Sequence, residues 1–165
     1  MRRWGLALEA AVLCLLVPGA GLAIAYPELY PLLVDLPGWE AEKPTGFGIS
    51  TQEGETACAL RRYRRGKATL QVALLSGAQA SGSWTPFEGR ISIETPEMTV
   101  KVIRIDGFPV GTIHRAEDQG GSVVVLLRSS PPAVLALQYT GLSAEEALRI
   151  SRRFDWRRMA EAMGR

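Results

Sequence analysis

Histidine and cysteine are the scarcest reactive residues of this 165-residue chain, with one histidine, His114, and two cysteines, Cys14 and Cys58. One imidazole and so few thiols fall short of the three or four protein ligands a zinc site uses. No carboxylate group has the spacing of a calcium loop. Glu40 with Glu42, Glu53 with Glu55, and Glu117 with Asp118 read as solvated loop carboxylates. No metal and no cofactor are expected. A strong charge imbalance is missing too: 19 basic residues face 17 acidic ones, or 17 against 16 once residues 1–25 are set aside. A general nucleic-acid binder needs a marked basic excess, so that class is excluded. The string Ser81-Gly82-Ser83-Trp84 lacks the G-x-S-x-G form and the strand-turn-helix context of a hydrolase nucleophile. The glycines are scattered over turns and build no phosphate loop.

A long hydrophobic run is also absent. The uninterrupted apolar part of the N-terminus, Ala10 to Ala25, is shorter than the roughly 20 residues that span a hydrocarbon core. Arg2 and Arg3 give it a positive start, Glu9 interrupts it, Pro18-Gly19 breaks it, and Ala23-Ile24-Ala25 has the form of a leader-peptidase site. These features predict a secretory signal covering residues 1–25, cleaved after Ala25, and hence a periplasmic or secreted protein. An uncleaved N-terminal membrane anchor is the alternative. Cleavage removes Cys14 and leaves Cys58 alone, so no intramolecular disulfide staples the mature chain. Residues 26–165 have the length of one domain.

What is present is mostly β-like. Leu29, Leu32, Leu33 and Leu36 share one face of a short helical segment limited by Pro31. A turn at Pro37-Gly38 follows, and Trp39 plugs the edge of the core. Thr56 to Arg64 and Lys67 to Ser76 read as a strand pair with two possible registers. A two-residue loop, Arg65-Gly66, groups Ala57, Ala59, Arg61 and Tyr63 with Leu70, Val72 and Leu74. A three-residue loop, Arg64-Arg65-Gly66, groups Cys58 and Leu60 with Ala68, Leu70, Val72 and Leu74, and turns Arg61, Tyr63, Lys67, Thr69 and Gln71 outward. The second register is preferred because it places Gly66 at a left-handed position. Residues 77–89 are a loop, or a short helix from Ala78 to Trp84. Strand character resumes at Arg90 to Glu94. Asp106-Gly107 is a two-residue hairpin turn, pairing Ile105 with Phe108, Ile103 with Val110, Lys101 with Thr112 and Thr99 with His114.

"SVVVLLR" and "AVLALQY" are apolar on both faces, as central strands are. Ser143 and Glu146 form a capping box, with Ala144, Ala147, Leu148 and Ser151 on one stripe and Glu145 paired to Arg149. Asp155 caps a second helix whose face carries Trp156, Met159, Ala160 and Met163. The expected class is α+β, a mainly antiparallel sheet with C-terminal helices packed on it.

The order "PGW", strand hairpins, "IDGFPV" and a closing helix near "DW" resembles the PsbP-like group of small secreted α+β proteins. Members of that group mostly act as accessory or binding proteins, so the resemblance implies such a role. No site residue is carried over from it.

Two chemical constellations remain. Cys58 and His114 are the only thiol–imidazole pair of the mature chain, and the preferred register buries Cys58 among aliphatic side chains, away from a base. "RRYRRGK" is the densest charge feature, and Arg61, Tyr63, Arg64, Arg65 and Lys67 form an anion- or partner-binding patch at a hairpin end. Its partner would be an acidic protein surface, an anionic lipid headgroup or a small anionic ligand. The sequence therefore points to an exported, non-catalytic binding or accessory protein. The alternative is a small secreted hydrolase drawing its residues from separate loops.

Overall fold

The computed structural model describes residues 25–164, apart from residues 53 and 90. The expected signal, and its cleavage after Ala25, lie outside or at the very edge of those residues. Among the described residues no helix is long and apolar enough to cross a membrane.

The framework is a nine-stranded, fully antiparallel sheet. After a 3₁₀ helix at Tyr26–Leu32 come β1 (Glu40–Ala41), β2 (Thr45–Thr51), β3 (Gly54–Arg65) and β4 (Ala68–Ser76). Helix α1 (Gly77–Trp84) and a 3₁₀ turn (Thr85–Phe87) lead to β5 (Ile93–Glu94), β6 (Met98–Ile105), β7 (Phe108–Arg115), β8 (Gly120–Ser129) and β9 (Pro132–Thr140), then α2 (Ala144–Ser151) and α3 (Trp156–Ala162). In space the strands run β1-β3-β4-β9-β8-β7-β6-β5, with β2 also on the outer edge of β3. The chain thus crosses the sheet once through α1, to the far edge. It then meanders back strand by strand until β9 meets β4.

Alternation within each strand makes two faces. One carries Leu70, Val72, Leu74, Val110, Val123, Val125, Leu135 and Leu137, all essentially inaccessible. It is covered by Leu29, Leu32, Leu33 and Leu36 from the N-terminal segment and by Ala147, Phe154, Trp156, Met159 and Met163 from the C-terminal helices. Each fully buried Leu or Phe contributes about 1.5–3 kcal/mol of transfer energy, so this layer supplies most of the stability. The opposite face is covered only in part: Ala80 of α1 and Phe87 pack on Val100, Val124 and Val134.

The expected helices and hairpin are in place. Ser143 Oγ accepts from Glu146 N at 3.1 Å, Asp155 Oδ1 accepts from Arg158 N at 3.0 Å, and Arg149 pairs with Glu145 at 3.5 Å. The Asp106-Gly107 turn has φ of 51° and 88° and gives the four expected residue pairs. Residues 77–84 are helical, and Trp39 is half-buried against the main core.

The preferred register of the first hairpin is corrected. Arg65 pairs with Ala68, so the loop is Gly66-Lys67, neither of the two expected; glycine (φ 59°) comes first as a mirror-image two-residue turn demands, and the grouping of side chains by face is that of the two-residue alternative. Ala57, Ala59, Arg61 and Tyr63 join Ala68, Leu70, Val72 and Leu74 on the main core face, while Cys58 and Leu60 lie on the other. The burial of Tyr63, 2% exposed beneath the N-terminal cover, is why this register wins. Cys58 is nonetheless buried, because both faces are covered at that end of β3. Of the strand expected over Arg90 to Glu94, residue 90 lies outside the described residues, 91 and 92 are not in a strand and Ile93–Glu94 form β5; β1 and β2 are strands where the sequence reads only turns. Gly46 and Gly48 let β2 lie close under Tyr26, since a Cβ on Gly46 would sit 2.8 Å from that ring.

Candidate functional site

Alternation splits "RRYRRGK" between the two faces of the sheet. Arg61, Tyr63 and Arg65 point to the covered side. The Arg61 guanidinium donates to the carbonyls of Leu33 (2.6 Å) and Glu42 (2.8 Å) and pairs with Asp35, leaving its side chain only 15% exposed. Tyr63 donates its hydroxyl to Val34 O at 2.8 Å and meets Phe154 edge-on. Burial pushes its phenol pKa up to about 12, against the pull of Arg61. Arg65 lies 4.5 Å over the Trp39 ring and pairs with Glu146 at 2.6 Å. These three side chains fasten the N-terminal segment and α2 onto β3. The outward orientation expected for Arg61 and Tyr63 is therefore wrong; both sit under a cover. Lys67 is exposed in the turn.

Arg62 and Arg64 point the other way, to the half of the second face that α1 leaves bare. The register lines up polar residues there in two rows across the strands. One row reads Arg62, Gln71, Gln138, Ser122 and then Ile113, on β3, β4, β9, β8 and β7. The next runs from Arg64 through Thr69 and Thr140. Beyond Thr140 it meets the paired Gly120 and Arg115 at the ends of β8 and β7. One step toward α1 the corresponding row is Leu60, Ala73, Ala136, Val124 and Gly111. The face thus changes from apolar to polar where the helix stops.

The rows floor a groove of about 850 Å³, walled on one side by Glu40, Ala41 and Glu42. That volume suits a small organic ligand or a short stretch of chain. Arg62 Nε donates to Gln71 Oε1 at 3.3 Å, and among the described residues no carboxylate is within ion-pair distance of it. Arg64 pairs with Glu40 at 3.3 Å, with both side chains mostly exposed. Arg115 pairs with Asp118 at 2.8 Å, and this hydrogen bond holds the Asp118 carboxylate below its usual pKa. The Thr69 and Thr140 hydroxyls share a hydrogen bond of 2.7 Å. Tyr63 and Tyr139 border the groove but turn their rings to the opposite face, toward Phe154 and His114. The groove therefore offers guanidinium, amide and hydroxyl groups on a rigid floor.

Of the residues expected at the site, Arg64 alone lies in this groove by its side chain. The sequence pattern does not single out Arg62, Gln71, Gln138, Ser122 or Arg115, which also line it. The signal for Arg62 is its two-residue spacing from Arg64, which puts both on one face of a strand. The others depend on the long-range pairing of β4 with β9. Cys58 and His114 are not brought together: they lie on opposite faces, separated by three intervening strands. Burial raises the Cys58 thiol pKa, and His114 stacks on Tyr139 with Nδ1 3.1 Å from its hydroxyl. Among the described residues no group of three or more His, Cys, Asp or Glu is arranged to hold a metal ion.

Comparison with protein families, with characterised proteins and with solved structures finds no match for this chain.

Proposed function

We propose that this is an exported binding or accessory protein, working in the periplasm or at an outer membrane-facing surface, that holds an anionic, hydrogen-bonding ligand in the groove of its open sheet face. The observation that carries this reading is the pair of polar rows, Arg62-Gln71-Gln138-Ser122 and Arg64-Thr69-Thr140, laid on rigid strands where one helix ends. A solvated face has no need to be recessed, whereas a binding site gains from donors fixed in advance. Guanidinium groups suit carboxylate and phosphate, and the neighbouring amides supply both donors and acceptors. The secretory signal expected over residues 1–25 and the resemblance of the sequence to PsbP-like accessory proteins support the same role.

The test is a thermal-shift screen of dicarboxylates, phosphates and acidic peptides on the wild type and on Gln138→Trp, which fills the middle of the groove. Ligands of this site stabilise the wild type and lose that effect on the blocked variant. Ligands that stabilise both equally would place binding elsewhere and end the proposal.

A further inference from the structure

The positive groups of the groove stand at its two ends. On the β3 side are Arg62 and Arg64, two residues apart on one strand face. On the other side is Arg115. Its guanidinium is drawn inward from β7 over β8: a Cβ built on Gly120 would lie 2.9 Å from Arg115 Nη2 and 2.7 Å from Asp118 Oδ2. The missing side chain at Gly120 is what lets the ion pair rest there. Asp118 Oδ1 accepts from Gly120 N at 3.1 Å and fixes the carboxylate that aims the arginine. Between the two ends the floor is neutral, made of Gln71, Gln138, Thr69, Thr140 and Ser122.

The spacing follows from the strand order. From β3 to β8 there are three inter-strand steps, about 14 Å at the ordinary spacing. An extended peptide covers that distance in roughly four residues. The neutral middle presents side-chain amides, which match the alternating N–H and C=O of a peptide backbone. No aromatic ring faces the groove among its described lining residues, so the stacking platform common for sugars is not offered there. The arginines lie at the ends of a recess rather than on a protruding surface, a shape that a flat bilayer does not fill. The Arg64–Glu40 and Arg115–Asp118 pairs are exposed, and such pairs are weak enough for a guanidinium to be shared with a second acceptor.

Resting on the groove being a binding site, we infer that it takes an extended acidic peptide segment with carboxylates about four residues apart, one held by Arg62 and Arg64 and the other by Arg115. Two fluorescein-labelled Gly/Ser peptides of equal length and charge test this, one with Glu at positions 2 and 6 and one with Glu at positions 2 and 3. Fluorescence anisotropy with the purified protein should show the spaced peptide binding about tenfold more tightly, since only it engages both arginine ends. Arg115→Gln should bring the spaced peptide down to the affinity of the adjacent-Glu peptide and so abolish the preference. Equal binding of the two peptides by the wild type would overturn the two-ended reading and leave the groove as a simple anion site. Binding of neither peptide, or binding insensitive to Gln138→Trp, would overturn the peptide inference. The thermal-shift screen then decides separately whether the groove binds anything. Phosphatidylglycerol vesicles form a further arm: vesicle binding that depends on Arg62 and Arg115, without peptide binding, would replace the peptide with a lipid headgroup.

Discussion

Arg61 and Arg62 are neighbours in the chain and lie on opposite sides of the sheet. Arg61 bonds two backbone carbonyls and Asp35 beneath the N-terminal cover, while Arg62 reaches Gln71 on the open groove. Their alanine variants should therefore differ in kind. Arg61→Ala leaves the carbonyl of Leu33 without its donor under the cover and should cost about 2 kcal/mol, read as a lower urea midpoint. Arg62→Ala should stay within about 0.5 kcal/mol of the wild type and lose ligand affinity instead. Equal destabilisation by both would mean that Arg62 is also a packing residue.

Alkaline stability should be limited by two tyrosines. Burial is the leading cause that pushes Tyr63 and Tyr139 up to about 12, while an unfolded tyrosine ionises near pH 10. Both groups keep their proton in the folded state, so they favour it fully below pH 10. As pH rises from about 10 to 12 the unfolded chain loses protons that the folded one keeps, and stability falls. The combined loss across this range should be on the order of 4 kcal/mol, about half from each tyrosine, and Tyr139→Phe should remove about half of the slope. Urea titrations at pH 8 to 11 check this; an unchanged slope would show that Tyr139 is solvated.

Gly111 should tolerate no side chain. A Cβ there would lie 2.3 Å from the Phe87 ring, which is 1% exposed beneath the second face. Gly111→Ala must push the 3₁₀ turn away from the sheet and should cost about 2–3 kcal/mol. The double variant Gly111→Ala with Phe87→Leu should recover part of it. Failure to recover any would locate the strain in β7 itself.

Cys58 should resist thiol reagents in the folded protein. The side chain is buried and burial raises its pKa, so the reactive thiolate is suppressed near neutral pH. Labelling should become fast only in denaturant. Rapid labelling under native conditions would show that β2 opens away from β3.

The parts of this fold that were legible in the sequence are those determined locally. Asp106-Gly107 dictates its own register because both turn residues take positive φ, and Ser143 and Asp155 announce the helices they cap. The first hairpin was misread because Ala57 to Tyr63 presents a plausible apolar face in either register. The choice falls to Tyr63 and the leucines of residues 29–36, some 30 positions upstream. The edge strand β2 was hidden for a similar reason. Its glycines read as turn residues, but they are there to admit Tyr26 and Tyr30. The groove was the least legible feature, since no local signal places Gln71 beside Gln138. Only the late return of β9 to β4 does so.

The two-sided use of β3 means that this scaffold responds differently to substitution and to a change of length. Replacing Arg62, Arg64 or Gln71 rewrites what the groove can hold and leaves the leucine-rich cover untouched. Deleting Arg64, next to the turn that sets the register, would carry Tyr63 into the groove and Arg62 into the apolar layer, erasing recognition and architecture together. Related chains built on this plan can therefore diverge widely in what they hold while keeping the residue count of this strand fixed.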